Sequence, residues 1–331
     1  MAKRSMASIQ LALIGLVLSI GIPVSCEGKT SDATLQSPKP TLEAAVRSRI
    51  LGEAAAVIRD NYADPKAGGA LADSILALLE QGGFDSATDA DKLVARMMAV
   101  IRTRSQDRHF VFRVDGGGAA ENESPSRQRS PHGLRASRML EHGIAYLEFD
   151  GFPGDEASLK AVKEAMDELP EVRAIVFDIR DNNGGSGDMV VLLCNQLLEE
   201  NSLLYSVSGR SGDPREVRAS APERHFGSEV PVYILTSGST LSAAEAFANI
   251  LQDHGRATVV GERTAGMANP SRTFLIDDAY ELTVPFLLMR YGRSGRTHAG
   301  VGIEPDIAVP AGSALEAALK EAKKTLGAEE Q

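Results

Sequence analysis

PVYILTSGSTLSAAEAFANI, Pro231 to Ile250, opens as an apolar strand and closes as an apolar helix, with a serine, Ser242, at the junction. Ser242 followed by Glu245 fits the capping box, in which a serine hydroxyl accepts from the amide three residues on and the glutamate reaches back. The same position, where a strand turns into a helix, could also hold a nucleophile. The surrounding chain has to decide between cap and nucleophile.

Outward from this junction the texture repeats. GIAYLEF, RAIVFDI, LLYSVS, PVYILT and ATVVG are strand-like, and Glu156 to Leu169, Gly187 to Leu198 and Ser242 to His254 are helix-like. Such alternation argues for an α/β core with a partly parallel sheet. A second set of strands, TFLI, YELTVP and FLLMRY, precedes a closing helix from Ser313 to Leu326. Ahead of the core, Leu42, Val46, Ile50 and Leu51, then Leu71, Ile75 and Leu78, then Leu93, Met97, Met98 and Ile101 recur at helical spacing, which predicts a small helical domain over 41–105. The Gly-, Ser- and Arg-rich stretch Val114 to Gly133 has no period and reads as a mobile loop or flap.

The chain has 331 residues, 43% of them hydrophobic and 24% charged, which is the composition of a folded protein with a sizeable core. Its start differs. Lys3 and Arg4 lead into LALIGLVLSIGI, Leu11 to Ile22, and then small residues, so 1–25 reads as an export signal and places the mature chain in the bacterial cell envelope, periplasm or outer surface. Cys26 resembles the lipidated cysteine of a bacterial lipoprotein signal, with Pro23 where an aliphatic residue is usual, and 26–40 reads as a polar tether. The other cysteine, Cys194 in VVLLCNQLL, then has no partner and reads as a small buried residue. The six histidines show no HExxH or HxH pairing, so no metal and no cofactor is expected. A net charge of −10, which loss of the basic leader makes more negative, argues against a nucleic-acid partner.

Three further segments bear on Ser242. FDIRDNNGGSGD, Phe177 to Asp188, is a strand ending in Asp-x-Arg and a Gly-Gly turn, and the consecutive glycines let backbone amides converge on one spot, as an oxyanion site requires. SQDRHFVFR, Ser105 to Arg113, offers a lone histidine, His109. GRATVVGERTAGMANP, Gly255 to Pro270, follows the Ser242 helix as another Gly-rich loop, and no lysine occurs between Lys163 and Lys320.

In this order the segments resemble the serine peptidase superfamily of C-terminal processing peptidases, tricorn protease and the interphotoreceptor retinoid-binding protein. The resemblance covers most of 41–310: the Asn-Tyr-Ala-Asp-Pro turn at Asn61 to Pro65, Asp-x-His at Asp107 and His109, Asp-x-Arg-x-Asn-x-Gly-Gly at Asp178 to Gly185, Thr-x-Ser-Ala-Ala-Glu at Thr240 to Glu245, and Gly-Ile-Glu-Pro-Asp-Ile at Gly302 to Ile307. It implies a ClpP/crotonase-like core, with 106–331 as the peptidase core, and a polypeptide or peptide substrate.

The processing peptidases pair serine with a lysine in a Gly-Glu-Lys-Thr-x-Gly-Lys segment. Here that segment reads Gly-Glu-Arg-Thr-Ala-Gly-Met, and the thioether of Met267 cannot take a proton from serine. The tricorn and nisin-resistance branch instead carries a histidine ahead of the core, which His109 matches. The interval from His109 to Gly143 is too short for a PDZ domain, as in that branch. The resemblance thus implies a Ser/His dyad, Ser242 as nucleophile and His109 as base, with the amides of Ala243 and of Gly184 or Gly185 as oxyanion hole.

Two departures stand out. Arg108 replaces the tricorn serine beside the histidine, and Ala299 lies where its glutamate is expected, so the base is either a bare dyad or oriented by a group the sequence does not identify. Asp107 reads as local support, Glu245 as a helix-stabilising residue, and Asp178 with Arg180 as structural partners of the turn. The rival reading is a non-catalytic module binding a peptide or apolar ligand in the same cleft. A third, acyl-thioester chemistry, conflicts with the export signal.

Overall fold

Apolar residues three and four apart bury one face of each of three opening helices: α1 (Ala44–Asn61), α2 (Pro65–Glu80) and α3 (Ala90–Ser105). The turn between the first two is set by Asp64, whose side chain accepts from the Lys66 and Ala67 amides while Pro65 opens the helix. The computed structural model describes residues 41–105, 107–115, 130–210 and 214–329. The leader, tether and Cys26 expected over 1–40 lie outside these, as does most of the loop expected over 114–133.

Strands β1 (Val111–Val114), β2 (Leu134–Leu140) and β3 (Ile144–Phe149) lead to helix α4 (Glu156–Asp167), strand β4 (Ala174–Asp178) and helix α5 (Gly187–Asn195). Strands β5 (Leu203–Ser208), β6 (Arg215–Arg218) and β7 (Val232–Thr236) precede helix α6 (Ala243–Asp253). Strands β8 (Ala257–Gly261), β9 (Ser271–Ile276), β10 (Tyr280–Pro285), β11 (Leu288–Tyr291) and β12 (Ile307–Ala308) then run to helix α7 (Ala314–Glu329). Among the strands, β6 has one apolar residue and the apolar residues of β2 do not alternate, and with no buried position in either, period alone does not mark them.

The central sheet runs β12-β8-β7-β4-β3-β2, parallel except for the β2–β3 pair. Every residue of β4 and β7 is buried, as a parallel strand covered on both faces must be. One face, with Leu147, Ile175, Phe177, Ile234 and Val259, packs on α4, α5 and α6. The other, with Tyr146, Val176, Tyr233, Leu235 and Val260, packs on α7. Small residues let α6 sit deep: Ala243 through Leu251 are all buried, and Phe247 meets Phe177 edge-on at 5.1 Å between ring centres.

The opening helices do not close on one another alone. They share a core with Phe110 and Phe112 from the β1 segment and with Ile276, Tyr280, Leu282 and Val284 of the antiparallel sheet β1-β10-β9. The chain segments thus interleave, since β1 follows α3 while β9 and β10 come between β8 and β12 of the central sheet. A third small sheet, β11-β5-β6, stands beside α6.

Candidate active site

At the end of β7 the chain must reverse into α6 within a few residues, and the strain of that turn falls on Ser242. Its φ is 52° and ψ −117°, a positive-φ conformation that an L-residue adopts only when its surroundings hold it there. Those surroundings are the loop after β4. Thr240 Oγ1 donates to Ile179 O at 2.9 Å, Ser237 Oγ to Arg180 O at 2.5 Å, and Leu241 N to Asn182 O at 3.0 Å. Gly184, itself at φ 85°, lies so close that an added Cβ would stand 2.8 Å from Ser242 Cβ and 2.7 Å from Leu241 O, which is why this position is a glycine.

Ser242 and Glu245 do form the capping box. Glu245 Oε2 accepts from Ser242 N at 2.9 Å, while the Ser242 hydroxyl faces the box without making a full cap hydrogen bond. Glu245 reaches further than a helix cap. Fully buried, it also accepts from Thr264 Oγ1 at 2.5 Å, Gly266 N at 2.7 Å and Met267 N at 2.8 Å, tying the Ser242 amide to the loop after β8. Burial raises its carboxyl above the usual range against the pull of these donors.

The two glycines expected to hold an oxyanion differ. Gly184 N–H already donates to Asn182 Oδ1 at 2.8 Å, so that amide is committed within its own turn. Gly185 at φ 141° pairs with Phe152, whose carbonyl takes the Ser186 amide, so the Gly185 N–H faces away from that partner. Among the described residues neither the Gly185 nor the Ala243 amide has an acceptor, and both residues line a cavity of about 330 Å³ together with Ser242. Val190, Tyr205, Val207, Leu287 and Met289 make its walls predominantly apolar.

His109 is buried and held from three sides. Its Nδ1 lies 2.8 Å from Asp107 Oδ1, its own amide donates to the same oxygen at 3.0 Å, and its Nε2 accepts from Asn269 N at 2.9 Å. Because a backbone N–H must donate to Nε2, the ring proton sits on Nδ1 and is shared with Asp107, the tautomer a general base needs. Burial works to raise the Asp107 carboxyl, but the His109 ring and amide and Asn269 Nδ2, at 3.1 Å, outweigh it and leave it below the usual range. Asp107, expected as local support, thus holds the His109 ring directly. Arg108 Nη1 fixes the segment by donating to Ala265 O at 3.0 Å.

Among the described residues no hydrogen bond joins Ser242 to His109. The segment 268–270 lies between them: Ala268 and Pro270 line the Ser242 cavity, whereas Asn269 lines a second cavity of about 230 Å³ with Tyr62 and Asp107. Asn269 is the site residue that no short motif marks, because its partner is 160 positions away. Met267, at the lysine position, contributes its backbone amide to Glu245.

Behind Glu245 sits a second buried histidine. Asn249 Oδ1 accepts from Arg296 Nε at 2.6 Å, so Asn249 Nδ2 faces His298 Nδ1 at 2.9 Å and the neutral ring carries its proton on Nε2. That Nε2 lies 4.0 Å from Glu245 Oε2, and burial pushes the ring down to about 4 against the pull of the Met267 backbone. Asp178 and Arg180 pair through both carboxylate oxygens and Arg180 Nη1 reaches Ala311 O at 2.7 Å, a structural clamp on the strand end. Cys194 is fully buried and its thiol is pushed up by burial. Among the described residues no three His, Cys, Asp or Glu side chains are grouped as metal ligands would be.

The family model for Peptidase family S41 matches residues 143–309, and the N-terminal domain of Peptidase_S41 in eukaryotic IRBP matches 40–142. A carboxy-terminal-processing protease of Bartonella bacilliformis is 28% identical over 234 residues, 60% of this chain and 53% of its own length. The chloroplastic carboxyl-terminal-processing peptidase 2 of Arabidopsis thaliana is 30% identical over 170 residues, 50% of this chain and 32% of its own. The chain thus spans about half or less of these relatives' length. Among solved structures, a putative peptidase from Parabacteroides merdae superposes with a TM-score of 0.64 at 18% identity, covering 83% of this chain and 96% of that one, and shares the fold.

Proposed function

Because the chain belongs to peptidase family S41, we propose that it hydrolyses peptide bonds through Ser242, with His109 as base and Asp107 behind it. The observation that carries this reading is the strained turn at Ser242 beside two uncommitted amides, Gly185 and Ala243. In this mechanism Ser242 Oγ adds to the substrate carbonyl while its proton passes to His109 Nε2. The carbonyl oxygen becomes an oxyanion between the Gly185 and Ala243 amides, favoured by the amino end of α6. Collapse of the adduct breaks the C–N bond, His109 returns the proton to the leaving amine, and water deacylates the serine by the same route. The apolar cavity takes the side chain preceding the cut bond, so an aliphatic or aromatic residue is expected there, in an unstructured peptide or chain end.

Export and anchoring belong to the same reading. The leader and Cys26 support a lipid-anchored protein of the cell envelope, and retention in a membrane fraction that Cys26→Ser abolishes is the check. A non-catalytic binding role is favoured by one observation, that His109 Nε2 is occupied by Asn269. Labelling of the full chain with a fluorophosphonate separates the two. Peptidase chemistry requires a single adduct on Ser242 that is absent from Ser242→Ala and much reduced in His109→Ala; a folded chain that takes no label, with or without peptide, has no activated serine.

A further inference from the structure

We propose that Asn269 is a latch on the base: the free chain keeps the proton-accepting lone pair of His109 on the Asn269 amide, and a peptide side chain entering the apolar cavity moves the 268–270 segment and releases it. This rests on the reading of Ser242 and His109 as nucleophile and base.

The latch follows from what each atom is doing. An imidazole nitrogen has one lone pair in the ring plane, and His109 Nε2 spends it on Asn269 N at 2.9 Å. While that bond stands, Ser242 has nowhere to send its proton. The segment is pinned by side chains on both flanks. Asn269 Nδ2 donates to Asp107 Oδ2 at 3.1 Å, Asn269 Oδ1 accepts from Met289 N at 3.1 Å, and Tyr291 Oη donates to Ala268 O at 2.7 Å. Two of the three bonds that shut the segment therefore involve residues, Met289, Tyr291 and Ala268, that line the Ser242 cavity. A side chain that fills this cavity packs against them. On the far side of Asn269 the 230 Å³ cavity beside Tyr62, Asp107 and Thr297 offers space into which the Asn269 side chain can turn. Asp107 stays bonded to the His109 ring and amide throughout, so release of Asn269 leaves the base oriented and its lone pair open.

The sign of one substitution distinguishes a latch from a residue that merely positions His109. Asn269→Ala removes the two side-chain anchors and keeps the backbone amide. A latch then opens more often, and fluorophosphonate labelling of Ser242 in the full chain rises about tenfold, the rate equivalent of the lost bonds. Tyr291→Phe, which deletes only the hydroxyl on Ala268 O, moves the rate the same way by a smaller factor. Adding N-acetyl-alanyl-leucinamide narrows the gap between parent and variants. Equal or slower labelling of both variants overturns the latch while labelling of the parent leaves the peptidase reading intact. If no chain labels, the peptidase reading has failed. The latch is then judged separately by hydrogen exchange: the Asn269 amide is protected in the free chain and loses protection with the peptide, and protection unchanged by peptide overturns it.

Discussion

Glu245 Oε2 and Ser242 N are 2.9 Å apart, with the glutamate fully buried beneath an exposed serine, and three other donors converge on the same carboxylate. Glu245→Gln replaces one acceptor oxygen with an amide that must face one of these donors. Unfolding in denaturant is expected to show a loss of about 2–4 kcal/mol, and Ser242 labelling to fall with it. A variant as stable as the parent would mean the four bonds contribute little.

His298 is expected to make stability depend on acidity. Its folded value, about 4, lies below the ordinary 6.5, so the unfolded chain binds the proton first. Stability on this account is full above the unfolded value and falls as the pH drops from 6.5 towards 4, by at most about 3 kcal/mol. Glu245, raised by burial, acts with the opposite sign, contributing stability when protonated and losing it as the pH rises through its folded value. The comparison with His298→Gln isolates the histidine, and chemical denaturation of both chains across pH 4 to 7 should show a flatter profile in the variant.

Asp107→Asn keeps the shape but removes the charge behind His109 and sets an amide donor against either the His109 N–H and ring or Asn269 Nδ2, all of which face this carboxylate, so the base loses its partner or its orientation. Labelling and hydrolysis should drop by about 10³-fold or more in a folded chain. The Asp107 carboxyl, depressed in the folded chain, also contributes stability that is present above its unfolded value and lost as the pH falls through the folded one. Intact labelling in Asp107→Asn would remove it from the mechanism.

Gly184→Ala places a methyl 2.8 Å from Ser242 Cβ at a position of φ 85°. The cost should be about 1–3 kcal/mol in melting experiments, with labelling reduced beyond the loss of folded protein because the Ser242 turn is displaced.

Ala246 lines the apolar cavity from the first turns of α6. Ala246→Leu should shorten the cavity and shift preference from leucine to alanine before the cut bond by about 10–100-fold in kcat/KM, measured on paired peptides. An unchanged ratio would place the specificity pocket elsewhere.

The fold was legible wherever burial repeats in sequence. The full apolar runs of β4 and β7 and the spaced apolar faces of α1, α2 and α3 carry their own period, and the motif residues Asp178, Gly184, Ser242 and Glu245 fall on the junctions expected of them. The site was legible only in its local parts. Asp107 and His109 are two residues apart, yet alternation does not say that a carboxylate curls back onto a neighbouring ring; that contact needs the turn at Arg108 and the Asn269 amide from across the molecule. Gly184 and Gly185 look alike as letters, and only the Asn182 side chain, by taking one amide, distinguishes them. Asn269 sits in a loop whose Asn-Pro pair signals a turn and nothing more, because its role is defined by atoms brought to it by folding.

The two family matches meet between residues 142 and 143, yet strand β1, from the first stretch, hydrogen-bonds to β10, from the second, with Val111 opposite Thr283 and Val114 opposite Tyr280. The boundary between the two matches is therefore not a seam in the molecule. Exchange of the amino-terminal stretch between relatives would bring in a strand cut to another partner and a set of helices shaped for another β9 and β10, so the two stretches are expected to be inherited, and to diverge, together.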